Sequence, residues 1–235
     1  MSSWRTVSMV LAALGVAGTA IWALSTSASE RSYAATVAGA AIVTPNPTPS
    51  VVVVATSAPV TPTTHQAATK TVSTTWVQKA SARTGIPERA LRAYASAQLV
   101  VAAEDPHCGI GWNTLAGIGW VESGHGSHDG AALLETGYSD RPILGPVLSG
   151  GIHAIGPMQF IPSTWRRWGS DGNGDGVADP NQIDDAALSA ARYLCASGSL
   201  RSAATWRQAV FSYNHSQAYV DKVAAVATSY SARMR

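Results

Sequence analysis

The sequence predicts a compact all-α domain over residues 76–235. Apolar residues recur at intervals of three and four in several segments, which is the period of a helix with one buried face. Glycine and proline stand where these segments start or stop, as at Gly85, Pro87 and Gly124. We find no pair of strand-like runs joined by a turn, so the sequence predicts no β-hairpin. The segment is long enough to bury one core, and it contains no internal repeat.

The periodic segments predict seven helices in chain order. Their expected ranges are residues 76–83, 87–104, 113–124, 161–168, 186–195, 205–213 and 217–230. Residues 124–152 are rich in glycine and lack a clear period, which is typical of a loop. Residues 171–179 form a second loop, composed mainly of glycine and aspartate.

The N-terminal part of the chain indicates export. Residues 7–24 are apolar throughout and follow Arg5, so residues 1–28 predict either a signal peptide cleaved after Ala28 or an uncleaved membrane anchor. Residues 29–75 are rich in Ala, Thr, Val, Ser and Pro, and predict an extended linker. We therefore expect an exported protein of the cell envelope or exterior, tethered to the membrane if residues 7–24 are retained.

The charge and the cysteine content of the chain argue against a nucleic-acid-binding protein and against a zinc site. Charged residues make up 13% of the chain and the net charge is +2, too weak for a nucleic-acid-binding face. Cys108 and Cys195 are the only cysteines. In an exported protein such a pair predicts a disulfide, and two cysteines without His or Cys at ligand spacing make a poor zinc site.

Glu122 is the strongest candidate for a catalytic acid. It shares a helical stripe with Leu115 and Ile118, and Asn113 and Gly124 suit the two ends of that helix. A carboxyl group on an apolar stripe is partly desolvated, and desolvation raises its pKa. A glutamic acid that is still protonated near neutral pH can act as a general acid. The alternative is a surface glutamate at an exposed helix end.

The glycine- and aspartate-rich loop resembles the oxygen-ligand pattern of calcium loops. Its expected ligands are the side chains of Asp171, Asn173, Asp175 and Asp179 and the carbonyl of Val177. Position 12 of an ordinary EF-hand is Gln182 here, so the closing carboxylate must come from Asp184 or Asp185. The alternative is a solvated turn of Asp and Gly without a metal.

Four motifs in this order resemble the lytic transglycosylases of the lysozyme-like superfamily, and look closest to the membrane-bound lytic transglycosylase B type. They are Glu122-Ser123-Gly124, the run AIGPMQFIPS at 154–163, the calcium-type loop, and the run AVFSYN at 209–214. The resemblance covers residues 76–235 and implies a lysozyme-like fold. It also implies a catalytic role for Glu122, sugar contacts by Ser123, Gln159, Tyr213 and Asn214, and Asp185 as the closing ligand of a structural Ca²⁺ site.

The resemblance implies that peptidoglycan glycan strands are the substrate of a monomeric enzyme without an organic cofactor. Glu122 would serve first as acid and then as base, Tyr213 would orient it, and the product would be a 1,6-anhydro-muramic acid end. One alternative is a hydrolytic muramidase that uses Asp129, Glu135 or Asp140 as a base for water. The other is a non-catalytic wall-binding module.

Overall fold

The computed structural model describes residues 71–148 and 150–235, which form seven α-helices and one short β-hairpin. The helices are α1 (Thr74–Thr84), α2 (Glu88–Glu104), α3 (Trp112–Ser123), α4 (Pro162–Trp168), α5 (Ile183–Cys195), α6 (Ala203–Asn214) and α7 (Gln217–Arg233). The predicted signal or anchor over residues 1–28 lies outside the described residues, as does the linker up to residue 70. Within the described part, no helix combines the length and apolarity needed to cross a membrane. The mostly helical architecture confirms the predicted fold class.

Side-chain caps explain why two helices begin earlier than predicted. The hydroxyl of Ser73 accepts a hydrogen bond from the backbone N–H of Trp76, so α1 begins at Thr74. The side-chain oxygen of Gln182 accepts from the N–H groups of Asp184 and Asp185, so α5 begins at Ile183. In both cases the cap supplies an acceptor to a free N–H of the first turn.

Helix α3 runs through the centre of the domain. Trp112, Leu115 and Ile118 are fully buried, and α3 packs against α2 and α7. A Cβ atom on Gly117 would lie 3.1 Å from the carbonyl oxygen of Val223 in α7, so a glycine there lets the two helices approach closely. The helix is therefore buried on most sides rather than along one stripe.

The start of α3 differs from the prediction. Gly111, not Asn113, is the N-cap residue, and the N–H of Trp112 in the first turn donates to Oε1 of Gln98 at 2.6 Å. Asn113 is buried inside the first turn, where its Nδ2 donates to Ser231 Oγ at 2.9 Å. The amide is used for packing α3 against α7 because a buried polar group needs a partner.

The prediction of no β-hairpin is wrong. Strands β1 (Leu144–Leu148) and β2 (Ile152–Ile155) pair antiparallel, with Leu148 opposite Ile152. Gly150 and Gly151 both have positive φ in the connection between the strands, as short hairpin loops require. Because neither strand has a buried residue, no alternation of buried and exposed residues identified them in the sequence.

The predicted disulfide is confirmed. Cys108 and Cys195 are bonded, with 5.4 Å between their Cα atoms and a separation of 87 positions in sequence. Cys108 precedes α3 and Cys195 is the last residue of α5. The bond thus links the loop leading into the Glu122 helix to the end of α5, which packs mainly on α2.

Candidate active site

Glu122 lies in the last turn of α3, which ends at Gly124 in the left-handed conformation (φ 57°). Burial raises the pKa of Glu122 to about 7, while a hydrogen bond from Tyr219 and the positive charge of Lys222 act in the opposite direction. A carboxyl group with this pKa exists in both protonation states near neutral pH. It can therefore give up a proton and take one back.

Tyr219 is the residue that contacts Glu122 directly. Its hydroxyl donates a hydrogen bond to Oε1 of Glu122 at 2.5 Å, and its side chain is buried. Tyr219 lies in the first turn of α7, where its backbone N–H donates to the capping hydroxyl of Ser216. The cap fixes the start of α7 and so places the phenol beside the carboxyl group.

Tyr213, which the sequence assigned to orient Glu122, acts on a different partner. Its hydroxyl donates to the carbonyl oxygen of Met158 at 2.8 Å. Its ring lies parallel to that of Tyr219, with 6.5 Å between the centroids and 7° between the planes. Burial, and then the negative charge of Glu122, raise the pKa of Tyr213. Tyr213 therefore supports Tyr219 and the 156–160 turn, and the orienting hydrogen bond comes from Tyr219.

Ser123 is not on an accessible surface. It is 1% exposed, its hydroxyl donates to the carbonyl oxygen of Pro157 at 2.6 Å, and it accepts from the N–H of Gly126 at 2.7 Å. Both hydrogen-bonding functions of the hydroxyl are used inside the protein. The hydroxyl holds the 156–160 turn against the end of α3, and sugar contact by Ser123 stays a prediction.

Gln159 and Tyr213 line a pocket of about 170 Å³, together with Phe160, Tyr193 and His215. Gln159 has a positive φ of 51° and its Nε2 donates to the carbonyl oxygen of Gly156 at 2.8 Å, which fixes its side chain in the turn. Sugar binding by Gln159 stays a prediction, supported by this position at a concave surface.

Asn214 is exposed at the end of α6, and the following residue, His215, takes the left-handed conformation that ends the helix. Asn214 is therefore the last residue of the helix, and the C-cap is His215 rather than Asn214. Its contact with sugars also stays a prediction. Trp206 belongs to the core, because it is 5% exposed and its Nε1 donates to Thr114 Oγ1.

His125 ties the end of α3 to two neighbouring helices. It is buried, its Nδ1 lies 3.2 Å from the hydroxyl of Tyr94 in α2, and its Nε2 lies 3.0 Å from that of Tyr230 in α7. Burial lowers the pKa of His125 to about 4, so the ring is neutral near pH 7. No local pattern indicates this role, because Tyr94 and Tyr230 are distant from His125 along the chain.

The calcium-type loop connects α4 to α5, and carboxylates within it and next to it accept hydrogen bonds from its backbone N–H groups. Asp171 accepts hydrogen bonds from the N–H groups of Gly174 and Gly176. Asp185 is fully buried and accepts from the N–H groups of Gly172 and Asp179 at 2.7 and 2.9 Å. The loop thus closes on Asp185, at the position where the sequence expected the closing carboxylate.

The neighbouring Asp184 points elsewhere, pairing with Arg89 of α2. The oxygen donors of the loop suit a hard cation such as Ca²⁺. In the part of the chain that the structure describes, however, no three His, Cys, Asp or Glu side chains are grouped so as to hold a metal ion. The carboxylates instead accept hydrogen bonds from backbone N–H groups. The loop therefore has the type of donor atom that calcium prefers, and calcium binding stays a proposal.

Comparison with protein families gives one match. Residues 148–211 match the family described as transglycosylase SLT domain. This stretch is a little over a quarter of the chain; it contains Gln159 and the calcium-type loop but neither Glu122 nor Tyr219. Neither the curated proteins nor the solved structures contain a significant match. The family match supports glycosidic bond cleavage in peptidoglycan as the general class of activity. It also confirms the resemblance of this chain to the lytic transglycosylases of the lysozyme-like superfamily, without distinguishing a type within it.

Proposed function

We propose that this protein is a lytic transglycosylase that uses one carboxyl group, Glu122, to cleave the β-1,4 bond between N-acetylmuramic acid and N-acetylglucosamine. The observation that carries the proposal is the environment of Glu122. Its pKa is raised to about 7 by burial, it accepts a hydrogen bond from a tyrosine hydroxyl, and the positive charge of Lys222 acts on it electrostatically. This environment suits one group that acts first as acid and then as base.

The reaction requires two proton transfers at Glu122. The protonated carboxyl gives its proton to the glycosidic oxygen, so the bond from that oxygen to C1 breaks and the N-acetylglucosamine hydroxyl leaves. The carbonyl oxygen of the substrate's 2-acetamido group bonds to C1 and stabilises the positive charge. The Glu122 carboxylate then removes the proton from the C6 hydroxyl, O6 bonds to C1, and the acetamido oxygen is released. The product is a 1,6-anhydro ring, no water is consumed, and Glu122 is again protonated.

Tyr219 supports both states of Glu122. Its hydroxyl donates to Oε1, so the proton that is transferred resides on the other carboxyl oxygen. When Glu122 is ionised after the first transfer, the same hydrogen bond stabilises its negative charge. Lys222 adds a second, electrostatic contribution of the same sign.

The hydrolytic alternative needs a second carboxylate that activates water. The three candidates have other partners. Glu135 pairs with Arg92 of α2, Asp140 accepts from the N–H of Ala132, and Asp129 is exposed beside His128. None of these carboxylates contributes to the raised pKa of Glu122, which favours the transglycosylase over the muramidase.

Mass spectrometry of products from purified peptidoglycan tests the proposal. The full chain should release muropeptides lighter by one water than hydrolysis products, and Glu122→Gln should release none. Glu104→Gln is the matched control, because Glu104 is an exposed residue at the end of α2 and pairs with Arg192. Full-mass reducing ends would establish the muramidase instead. Binding without cleavage by all three proteins would favour the wall-binding module.

We further propose that the loop binds one structural Ca²⁺ ion through the side chains of Asp171, Asn173, Asp175, Asp179 and Asp185 and the carbonyl of Val177. The ion would offset the repulsion among the carboxylates and hold α4 relative to α5. The oxygen donors and the burial of Asp185 beneath the loop support this assignment.

Thermal unfolding with added calcium and with EDTA tests the metal. Calcium should raise the Tm of the wild type, and Asp185→Asn should abolish the increase. Asp184→Asn is the matched control, because it removes the same charge next to Asp185 but from a side chain that faces Arg89. The calcium proposal fails if the wild type has the same Tm in both conditions. A structural role fails if EDTA abolishes cleavage and leaves Tm unchanged.

We also propose that the protein is exported and acts as a monomer in the cell envelope or outside the cell. The apolar segment 7–24 after Arg5 supports this location. N-terminal sequencing of the protein recovered from cells distinguishes the two fates of the segment. A new N-terminus after Ala28 indicates a signal peptide, and an intact one indicates an anchor.

A further inference from the structure

A second concave surface, larger than the pocket at Gln159, is lined in part by Leu144 and Ile155 at the base of the hairpin. It has a volume of about 530 Å³, within the range of ligand-binding pockets. Three segments form its walls: residues 138–144, residues 155–157, and the end of the aspartate-rich loop at residues 179 and 181.

The walls of this pocket are connected to each other. The N–H of Gly156 donates to the carbonyl oxygen of Ile143 at 2.9 Å, which joins the first two walls. A Cβ atom on Gly156 would lie only 1.9 Å from the carbonyl oxygen of Pro180, so the third wall packs directly on the second. The cavity is therefore built by packed backbone segments from three parts of the chain.

The pocket is close to the catalytic helix. Pro157 lines the pocket, and its carbonyl oxygen accepts the hydrogen bond from Ser123, the residue that follows Glu122. Ser123 is the last residue of α3, so the pocket wall contacts the end of the Glu122 helix directly.

The chemistry of the lining suits a peptide that bears a carboxylate. Pro142, Ile143 and Ile155 are apolar lining residues, and Arg141 supplies a cation beside two lining carboxylates, Asp140 and Asp179. The Arg141 side chain is 59% exposed, and its Nε lies 3.4 Å from Oδ1 of Asp140. That Asp140 oxygen also accepts from the N–H of Ala132. Within residues 71–148 and 150–235, no other acidic side chain pairs with Arg141. Its guanidinium can therefore receive a carboxylate in the bidentate geometry that arginine favours.

We propose that this pocket binds the peptide stem carried by the muramic acid residues, with a stem carboxylate on Arg141 and the peptide lying against the apolar lining residues. The proposal rests on the proposed function, because it assigns the pocket to the peptide branch of the same glycan. It makes the stem a determinant of specificity, and Arg141 a specificity residue rather than a catalytic one.

Kinetics on two forms of one substrate test the pocket. Glycan strands that keep their stems are compared with strands from which an amidase has removed the stems. We expect the wild type to favour the stem-bearing strands in kcat/KM. Arg141→Gln should reduce this preference roughly three- to tenfold, the range for losing one hydrogen bond of ordinary net strength, and should leave the rate on stripped strands unchanged. Arg141→Lys should restore part of the preference. The control is Lys79→Gln, which removes one positive charge from the exposed side of α1.

Binding of a soluble stem peptide, which contains no glycosidic bond, separates this proposal from the proposed function. Calorimetry should show binding to the wild type and weaker binding to Arg141→Gln. If the peptide binds in this way but no strand is cleaved, the pocket assignment stands and the enzymatic function fails. If strands are cleaved but Arg141→Gln keeps the wild-type preference and peptide affinity, the pocket assignment is wrong.

Discussion

The hydroxyl of Tyr219 lies 2.5 Å from Oε1 of Glu122, and it joins the start of α7 to the end of α3. The two residues are 97 positions apart in the sequence. The bond has two effects: it lowers a pKa that burial has raised, and it holds the carboxyl group in one orientation. The contact between α3 and α7 thus influences both the pKa of Glu122 and the orientation of its carboxyl group.

Tyr219→Phe should move the alkaline limb of the activity profile to higher pH. The variant loses a hydrogen bond that lowers the pKa of Glu122, so the group stays protonated to a pH above about 7. We also expect kcat to fall about tenfold, because the phenol stabilises the carboxylate formed in the first step. The measurement is the pH dependence of kcat on purified peptidoglycan.

Tyr213→Phe is the matched control for that experiment. Tyr213 stacks on Tyr219, but its hydroxyl donates to Met158 and not to Glu122. Its removal should therefore leave the alkaline limb close to that of the wild type. An equal displacement in the two variants would contradict the assignment of Tyr219 as the residue that positions Glu122.

Glu122→Gln should stabilise the protein, and more at alkaline than at acidic pH. The folded pKa of Glu122, about 7, lies above its ordinary value of 4.5, so the folded state binds the proton more tightly than the unfolded state. Stability contributed by this group is complete below pH 4.5 and is lost as pH rises toward 7. Glutamine stays neutral throughout. The advantage of the variant should therefore increase by on the order of 1–3 kcal/mol from about pH 5 to about pH 8.

Denaturant unfolding at those two pH values measures the difference. Glu88→Gln is the control, because Glu88 lies in the exposed first turn of α2. Its effect should be similar at both pH values. If the difference between Glu122→Gln and wild type were independent of pH, the raised pKa of Glu122 would be disproved.

His125→Phe should destabilise the domain by about 2–4 kcal/mol. Phenylalanine keeps a ring of comparable shape, but it leaves the hydroxyls of Tyr94 and Tyr230 without their partner in a buried site. A double-mutant cycle with Tyr230→Phe provides the check, because removing both partners should cost less than the sum of the two changes. Strict additivity would show that His125 and Tyr230 do not interact.

Loss of the disulfide should lower the free energy of unfolding by about 2–4 kcal/mol. The double variant Cys108→Ser with Cys195→Ser removes the only cross-link between the loop before α3 and the end of α5 in the described residues. Thermal unfolding with and without a reductant measures the effect. The reductant should lower the Tm of the wild type and leave that of the double variant unchanged. A wild type that does not respond to full reduction would contradict the prediction.

Local sequence determined much of the fold because helix periods and ends are local properties. Gly85 and Gly124 end their helices in the left-handed conformation that glycine adopts readily. The position of Glu122 at the end of an apolar helix was also readable, and so was the Cys108–Cys195 pair, since only two cysteines were available. The exposed hairpin was not readable, because a strand that buries neither face leaves no alternating pattern.

The direction in which each side chain points was decided only by tertiary structure. Ser123 and Tyr213 belong to motifs beside the candidate acid, but packing turns their hydroxyls to the carbonyl oxygens of Pro157 and Met158. Tyr219 lies outside those motifs and yet supplies the hydrogen bond to Glu122. The sequence by itself determined which residue can be the acid. Only the packing of α7 on α3 decided its partner, because a contact across 97 residues depends on how the helices meet and not on any local pattern.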